Sequence, residues 1–393
     1  MASGKEWLCA MKNIVPVVVQ RETMGFYWVK NIFFGLKRAA AKNKCFIRII
    51  EDVTALNAPD FPRSNCVIVV GYTTEWLYET LNYLTSNNFK PIIANPCVTD
   101  EIKRHCNVVT FQLEDSIEKA IKYLLSAGKK KIALLGTNKN SLADGIKENT
   151  FLNFFGVESE KMIFRGYNPL YKCVDEFIKT FSSENIDAAI CSSDTVAIYL
   201  IKRMLDNGFN MPKDLYVIGM GNSKTGKTTS IPITTIGFDY KQLGICALKT
   251  WCAIQKDELN THNEISIPCE FIIRDSTENV VDIKNKITFN ISRVKKKYRM
   301  DNDSKGFFDD ADVKRIISLE DLLISADKTD YTILKEIIKG NSDAKMSEHL
   351  NISDRAIRYR INKMFKILGV HNREDIVHMI HDLHIKDSNI IFK

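Results

Sequence analysis

Between residues 14 and 275 the chain alternates short apolar runs with amphipathic stretches, and that rhythm restricts the fold more than any other feature. "IVPVVV" (14–19), "FIRII" (46–50), "CVIVVG" (66–71), "PIIAN" (91–95), "KIALLG" (131–136), "DAAICSSD" (187–194) and "LYVIGMG" (215–221) read as strands. Between them lie helical segments such as "FYWVKNIFFGLKRAAAKN", "TEWLYETLNYLTSNN", "SIEKAIKYLLSAG" and "TVAIYLIKRMLDNG". The strands are apolar throughout, so they predict parallel sheet buried on both faces by helices. There are more such units than one small doubly wound sheet needs, which predicts two similar lobes.

A chain of 393 residues with 45% hydrophobic and 26% charged residues has ordinary globular composition and length for more than one domain. No run of about 20 apolar residues appears, so no membrane span is expected. The start "MASGKEWLCAMKN" (its first dozen residues read as a tail, 1–12) lacks the apolar core of a secretory signal. Ten cysteines are scattered without a C-x-x-C pair. That distribution predicts reduced thiols in a cytoplasmic protein, with no zinc site and no cofactor.

The character changes past residue 276. Residues 277–328 read as a charged linker in which Lys295, Lys296, Lys297 and Arg299 are candidate phosphate contacts, followed by a connector helix at "VKRIISLEDLLISA" (313–326). Residues 329–393 read as four short helices. Gly340 ends the first, Ser342 opens the second, Ser353 caps the third and Gly369 stops it. On the third helix Ile357, Ile361, Met364 and Leu368 share one stripe. Arg355, Arg358, Tyr359, Asn362, Lys363 and Lys366 fall opposite. A helix with one face in a small core and a basic, hydrogen-bonding other face fits the DNA major groove. A solvated surface helix has the same pattern. In the fourth helix His378, His381 and His384 fan too widely for a metal site and read as surface or dimer contacts.

Residues 221–228, "GNSKTGKT", satisfy the P-loop pattern G-x-x-x-x-G-K-[ST]. A phosphate-binding loop also needs a helix starting at its lysine, and "TTSIPITTIGF" after Lys227 is β-branched and broken by Pro232. The match is therefore expected to be coincidental.

The order of helix, glycine, short helix, "NIS" turn, basic helix, "LGV" and fourth helix resembles the LuxR-type (GerE-like) helix-turn-helix domain. The resemblance implies that Arg355, Arg358, Tyr359 and Lys363 face base edges and that Lys345 contacts phosphate. Asn362 lies on the same face. Ala356 stands where that family usually has threonine, and Arg360 where it often has histidine.

The larger part is similar to the effector-binding domain of the LacI/GalR regulators, of the periplasmic-binding-protein type I class. The matching features run in order: Asp194 after "CSS", Gly208 ending a helix, "MPKDLYVIG", Pro232 before "ITTI", Leu243-Gly244 and "IIRDST". The resemblance implies a two-lobed α/β domain over 13–276, with crossings near 129–131, 236–238 and 264–268. The N-lobe is then about 13–130 with 238–265, and the C-lobe about 131–236 with 266–276. It further implies a small polar, sugar-like ligand in the interlobe cleft, held by Phe26, Tyr27, Trp28, Tyr72, Asn95, Lys147, Asp194 and Asn222. Lys147 replaces an arginine and so loses a bidentate fork, and Asn222 replaces an aspartate. That family reads DNA at its N-terminus, whereas here the helix-turn-helix lies at the other end. The expected protein is thus a dimeric, non-enzymatic transcriptional regulator binding double-stranded DNA and a small effector, away from membranes. The alternatives are an ATP-dependent LuxR-type regulator using 221–228 and a stand-alone enzyme; for the latter no nucleophile–base grouping is visible.

Overall fold

The structure is a computed structural model and describes residues 14–58, 64–138, 141–166, 170–256, 262–277 and 310–391. The tail at 1–12 and the basic run Lys295, Lys296, Lys297 and Arg299 lie outside the described residues. The chain divides into two units, one formed by Met1–Leu113 with Phe238–Cys269 and the other by Glu114–Gly237 with Glu270–Lys393.

In the first unit the chain runs through β1 (Ile14–Val19), α1 (Tyr27–Lys42), β2 (Phe46–Ile50), β3 (Cys66–Val70), α2 (Thr74–Ser86), β4 (Lys90–Ala94), α3 (Asp100–His105) and β5 (Asn107–Phe111). The second begins with α4 (Leu113–Ser126), β6 (Ile132–Thr137), α5 (Leu142–Phe155), β7 (Ile163–Arg165) and α6 (Leu170–Glu184). It continues with β8 (Ala188–Cys191), α7 (Asp194–Asp206), β9 (Tyr216–Met220), α8 (Lys224–Thr228) and β10 (Thr234–Gly237). The chain returns to the first unit for α9 (Tyr240–Gln255) and β11 (Glu264–Ile267), then re-enters the second with β12 (Glu270–Ile272). Among the described residues five α-helices follow: α10 (Ala311–Ser325), α11 (Lys328–Ile338), α12 (Asp343–Leu350), α13 (Asp354–Leu368) and α14 (Arg373–Asp382).

The first sheet has the order β11-β5-β4-β3-β1-β2 and is parallel throughout. Alternation along its strands divides the core. Val15, Val17, Val19, Ile68 and Val70 pack with α1 and α9 on one face. Val18, Val67, Val69 and Ile93 pack with α2 and α3 on the other. α1 and α9 approach closely because both are notched by glycine. A Cβ on Gly35 would lie 1.9 Å from the Lys241 carbonyl oxygen, and one on Gly244 would lie 2.1 Å from that of Ile32.

The second sheet has the order β12-β10-β9-β8-β6-β7, parallel except for β12 against β10. The first division between the units falls at 113/114, which groups most of α4 with the second unit. Its Tyr123 is fully buried, with its hydroxyl 2.9 Å from that of Thr277 and its ring 5.0 Å from Phe271. The chain passes back to the first unit at 237/238, and the last division, at 269/270, keeps all of β11 in the first unit, where it pairs with β5.

Each C-terminal helix opens on a side chain that accepts from its own first turn: Asp310, Asp327, Ser342, Ser353 and Asn372. Gly369 takes the left-handed conformation (φ 69°) that stops α13. α10 is more than a connector. Val313, Ile316, Leu319, Leu322 and Leu323 are buried, and the helix packs on α13 as well as on α7 and α8 of the second sheet's lobe.

Candidate functional site

α13 is amphipathic in the way its periodicity predicts. Ile357, Ile361, Met364 and Leu368 are buried, while Arg355, Arg358, Tyr359, Asn362 and Lys363 are all exposed, Tyr359 at 73%. Lys345, near the start of α12, is exposed too. Two of these cations have acidic neighbours that orient them. Arg358 Nε donates to Asp343 Oδ2 (3.1 Å), and Lys363 Nζ lies 3.8 Å from Asp330. Arg373 also pairs with Asp343, so Asp343 stays neutralised if Arg358 turns toward another anion. Arg360, on the flank of the helix, is turned inward instead. Its guanidinium donates to Asp327 (2.8 Å) and Asp330 (2.6 Å), the capping box of α11. The helix-turn-helix is thereby fixed with its basic side in solvent. That side carries planar donors, an amide and a phenol, the groups that read base edges and phosphates.

At the carboxyl end of the first sheet an aromatic group gathers from distant segments. Phe26 meets Tyr72 edge-on at 6.3 Å, and Tyr27 meets Tyr240 at 6.4 Å. Phe111 packs against Phe238 (5.3 Å) and Tyr240 (5.5 Å). Tyr27 and Tyr72 are exposed, at 42% and 39%, whereas Trp28 packs against the apolar core. Asn95 is buried and committed to the backbone. Its amide donates to the Gly71 carbonyl (2.6 Å) and its oxygen accepts from the Gly71 amide (3.1 Å), joining the ends of β3 and β4. Gln20, which no sequence motif marks, accepts from the amides of Tyr72 (2.8 Å) and Thr73 (3.2 Å) and holds that loop.

At the carboxyl end of the second sheet lies a buried polar group. Asp194, the first residue of α7, accepts from the Thr235 hydroxyl and the Ser223 amide, both at 2.6 Å, while Ser193 serves as the helix cap. Burial raises the Asp194 carboxyl above its ordinary range, and these two donors only partly offset the rise. Asn222 sits in the left-handed region (φ 53°), its oxygen accepting from Arg274 (2.6 Å). Lys147 is buried, its ammonium donating to Asp144 (2.6 Å) and the Ser192 carbonyl (2.8 Å). Beside it Glu148 accepts from Thr137 (2.6 Å) and Arg165 (2.8 Å). The Lys147 ammonium is thus bonded within its own unit. Arg274 and Thr235 do not stand out in the sequence, because a lone arginine or threonine at a strand end carries no spacing signal.

The P-loop look-alike is held by protein. A five-residue helical turn forms there, but it starts at Lys224 rather than Lys227 and lasts only to Thr228, so no helix begins at the lysine. Two amides of this loop are occupied by the Glu320 carboxylate of α10. Its two oxygens accept from Lys224 N (2.9 Å) and from Thr225 N (2.6 Å) and Oγ1 (2.8 Å). Burial raises the Glu320 carboxyl, with the two amides pulling the other way. Lys227 is exposed, and partial desolvation with the Arg274 charge lowers its pKa.

Of the three histidines in the last helical stretch, His378 and His381 are exposed, and His384 Nε2 lies 3.0 Å from Asp206 at the end of α7. Among the described residues no helix is long and apolar enough to cross a membrane.

Comparison with known proteins agrees with these two parts. Residues 121–277 match the family described as periplasmic binding protein-like domain, and residues 328–380 match bacterial regulatory proteins, luxR family. The chain therefore carries a periplasmic-binding-protein-like domain followed by a LuxR-type helix-turn-helix domain. It is similar to the HTH-type transcriptional regulator pepR1 of Lactobacillus delbrueckii subsp. lactis, 26% identical over 48% of this chain and 57% of that one. It is also similar to the HTH-type transcriptional regulator MalR of Clostridium butyricum, 27% identical over 45% of this chain and 54% of that one. The chain thus spans little more than half the length of these curated relatives. In fold it is like the LacI family transcriptional regulator CCPA from Weissella paramesenteroides with bound glucose. That likeness has a TM-score of 0.52 at 21% identity and covers 68% of this chain and 100% of that one.

Proposed function

We propose that the protein is a ligand-responsive transcriptional regulator that binds double-stranded DNA through α13. The observation that carries the reading is the exposed Arg355, Arg358, Tyr359, Asn362 and Lys363 face on a helix whose opposite side is buried in a helix-turn-helix core. The match to the luxR family over 328–380 supports it. Lys345 contacts phosphate, and the recognition side chains read base edges. A homodimer on two half-sites is the geometry such a domain favours.

The effector is a small polar, sugar-like molecule recognised at the carboxyl ends of the sheets, where open parallel sheets hold their ligands. Phe26, Tyr27 and Tyr72 present a surface for it in the first unit, and Asn222 is the candidate in the second. Asn95 fixes the Gly71 end beside Tyr72, Asp194 fixes Ser223 beside Asn222, and Trp28 and Lys147 complete the candidate set, each within its own unit. The glucose-bound regulator of like fold supports a carbohydrate.

DNA capture from genomic fragments followed by salt titration tests the reading. Binding weakens steeply with salt. Arg358→Ala relaxes discrimination at one base position by about 1–3 kcal/mol, whereas Lys345→Ala weakens all sequences alike and reduces the salt slope by about 1. Identical effects of both substitutions on specific and random DNA would refute the role of α13. Light scattering showing monomers alone, with and without DNA, would remove the dimer.

A further inference from the structure

One ten-residue segment, Gly221–Ser230, is held from two directions. On the side of the second sheet, Asp194 accepts from Ser223 N, Thr235 Oγ1 accepts from Asn222 N (3.2 Å), and Arg274 grips Asn222. Immediately afterwards the partners belong to the C-terminal helices. Glu320 takes the Lys224 and Thr225 amides, and Lys224 Nζ donates to the Leu323 carbonyl (3.0 Å). The segment's end is gripped by residues that follow α14. Ser230 N donates to the His384 carbonyl (2.5 Å), Lys386 N donates to the Thr228 carbonyl (3.2 Å), and Asn389 Nδ2 donates to that of Thr229 (3.0 Å).

We propose that Gly221–Ser230 is the coupling element between the carboxyl edge of the second sheet and the DNA-reading helices, with Glu320 as its latch. The inference rests on the regulator reading for its purpose, but the latch is a structural claim of its own. Glu320 is half-buried, and its desolvated carboxylate is compensated by three donors, so removing them leaves a charge without compensation. The contact therefore has two states: Glu320 seated on Lys224 and Thr225, or α10 displaced until water replaces those donors. Little slack separates the two grips. Ser223 N is bound to Asp194 while Ser223 Oγ accepts from Gly226 N (3.0 Å), so a shift at Asp194 reaches the amides under Glu320 within one turn. α10 also contributes to the packing of α13, so unseating Glu320 alters the support of the recognition helix.

Hydrogen exchange in the full-length protein, followed at 221–230 and 311–325, tests the coupling in a double-mutant cycle of Asp194→Asn and Glu320→Gln. A glutamine offers one acceptor oxygen where two are needed, so Glu320→Gln speeds exchange at Lys224 and Thr225 roughly tenfold or more. Asp194→Asn speeds exchange at the same amides, and the double variant equals the greater single effect. Unchanged exchange in either single variant, or effects that simply add, overturns the proposal. Should Glu320→Gln fail to fold, Thr225→Val removes only the hydroxyl donor and makes the same prediction in weaker form. Binding to captured genomic DNA separates the two readings. If wild type and variants all ignore DNA, the regulator reading fails while the exchange result still decides the latch. If wild type binds and neither variant changes affinity or discrimination, the coupling role is overturned.

Discussion

Arg360 shows how one side chain decides whether a helix-turn-helix is presented or lost. It donates to both carboxylates of the α11 capping box, and the Asp330 amide together with Arg360 holds the Asp327 carboxyl below its usual range. A lowered pKa contributes stability that is present above the unfolded value, about 3.9, and is lost as pH falls through the folded one. Asp327→Asn is therefore expected to flatten the acid limb of thermal unfolding as pH falls below the unfolded value, as seen by calorimetry. The buried carboxyl of Asp194 and the half-buried one of Glu320 act with the opposite sign. Their raised values contribute stability below the ordinary carboxylate range, lost as pH rises through the folded values. Of the residues nominated for ligand, Asp194 and Asn222 could be placed from sequence because they follow strands at the sheet's carboxyl edge. That Lys147 would turn inward to Asp144 and Ser192 could not be read, since the Ser192 carbonyl is brought to it only by the tertiary fold.

Elements were legible wherever a period marks them. The apolar strands and the stripe Ile357, Ile361, Met364 and Leu368 follow directly from two simple repeats. The membership of α4 was not, because its amphipathic pattern says that it packs but not on which sheet. Tyr123 and its Thr277 partner lie 154 residues apart. The five-residue α8 escaped for the reverse reason: it is too short to show a period and forms under the Ser223 cap and Glu320. The α1–α9 contact makes a prediction at this scale. Gly244→Ala places a methyl against the Ile32 carbonyl and should cost about 1–3 kcal/mol, read as a lower denaturant midpoint for the first unit. An unchanged midpoint would show that the helices can part without loss.

In the whole molecule, a likeness to two families was readable from sequence, but the way their parts join was not. Glu320 sits mid-helix in a stretch read as linker, and nothing in "SLEDLLIS" marks that carboxylate as bound for an amide pair nearly a hundred residues earlier. α10 closes both the core of the DNA-reading helices and its seam with the second sheet's lobe. Leu319→Ala, at a site 1% exposed, should cost about 2–5 kcal/mol and lower the melting of both parts together. Separate transitions, with only one displaced, would mean that the two cores are independent.

The shared helix also bears on how the DNA-reading portion can be studied alone. A fragment cut to the boundaries of the luxR match, 328–380, would leave α10 behind and bare the greasy flank of α13 that it covers. It would forfeit the closing residues Ile385 to Asn389 as well. Such a piece should self-associate, whereas one beginning at Asp310 keeps its own lid.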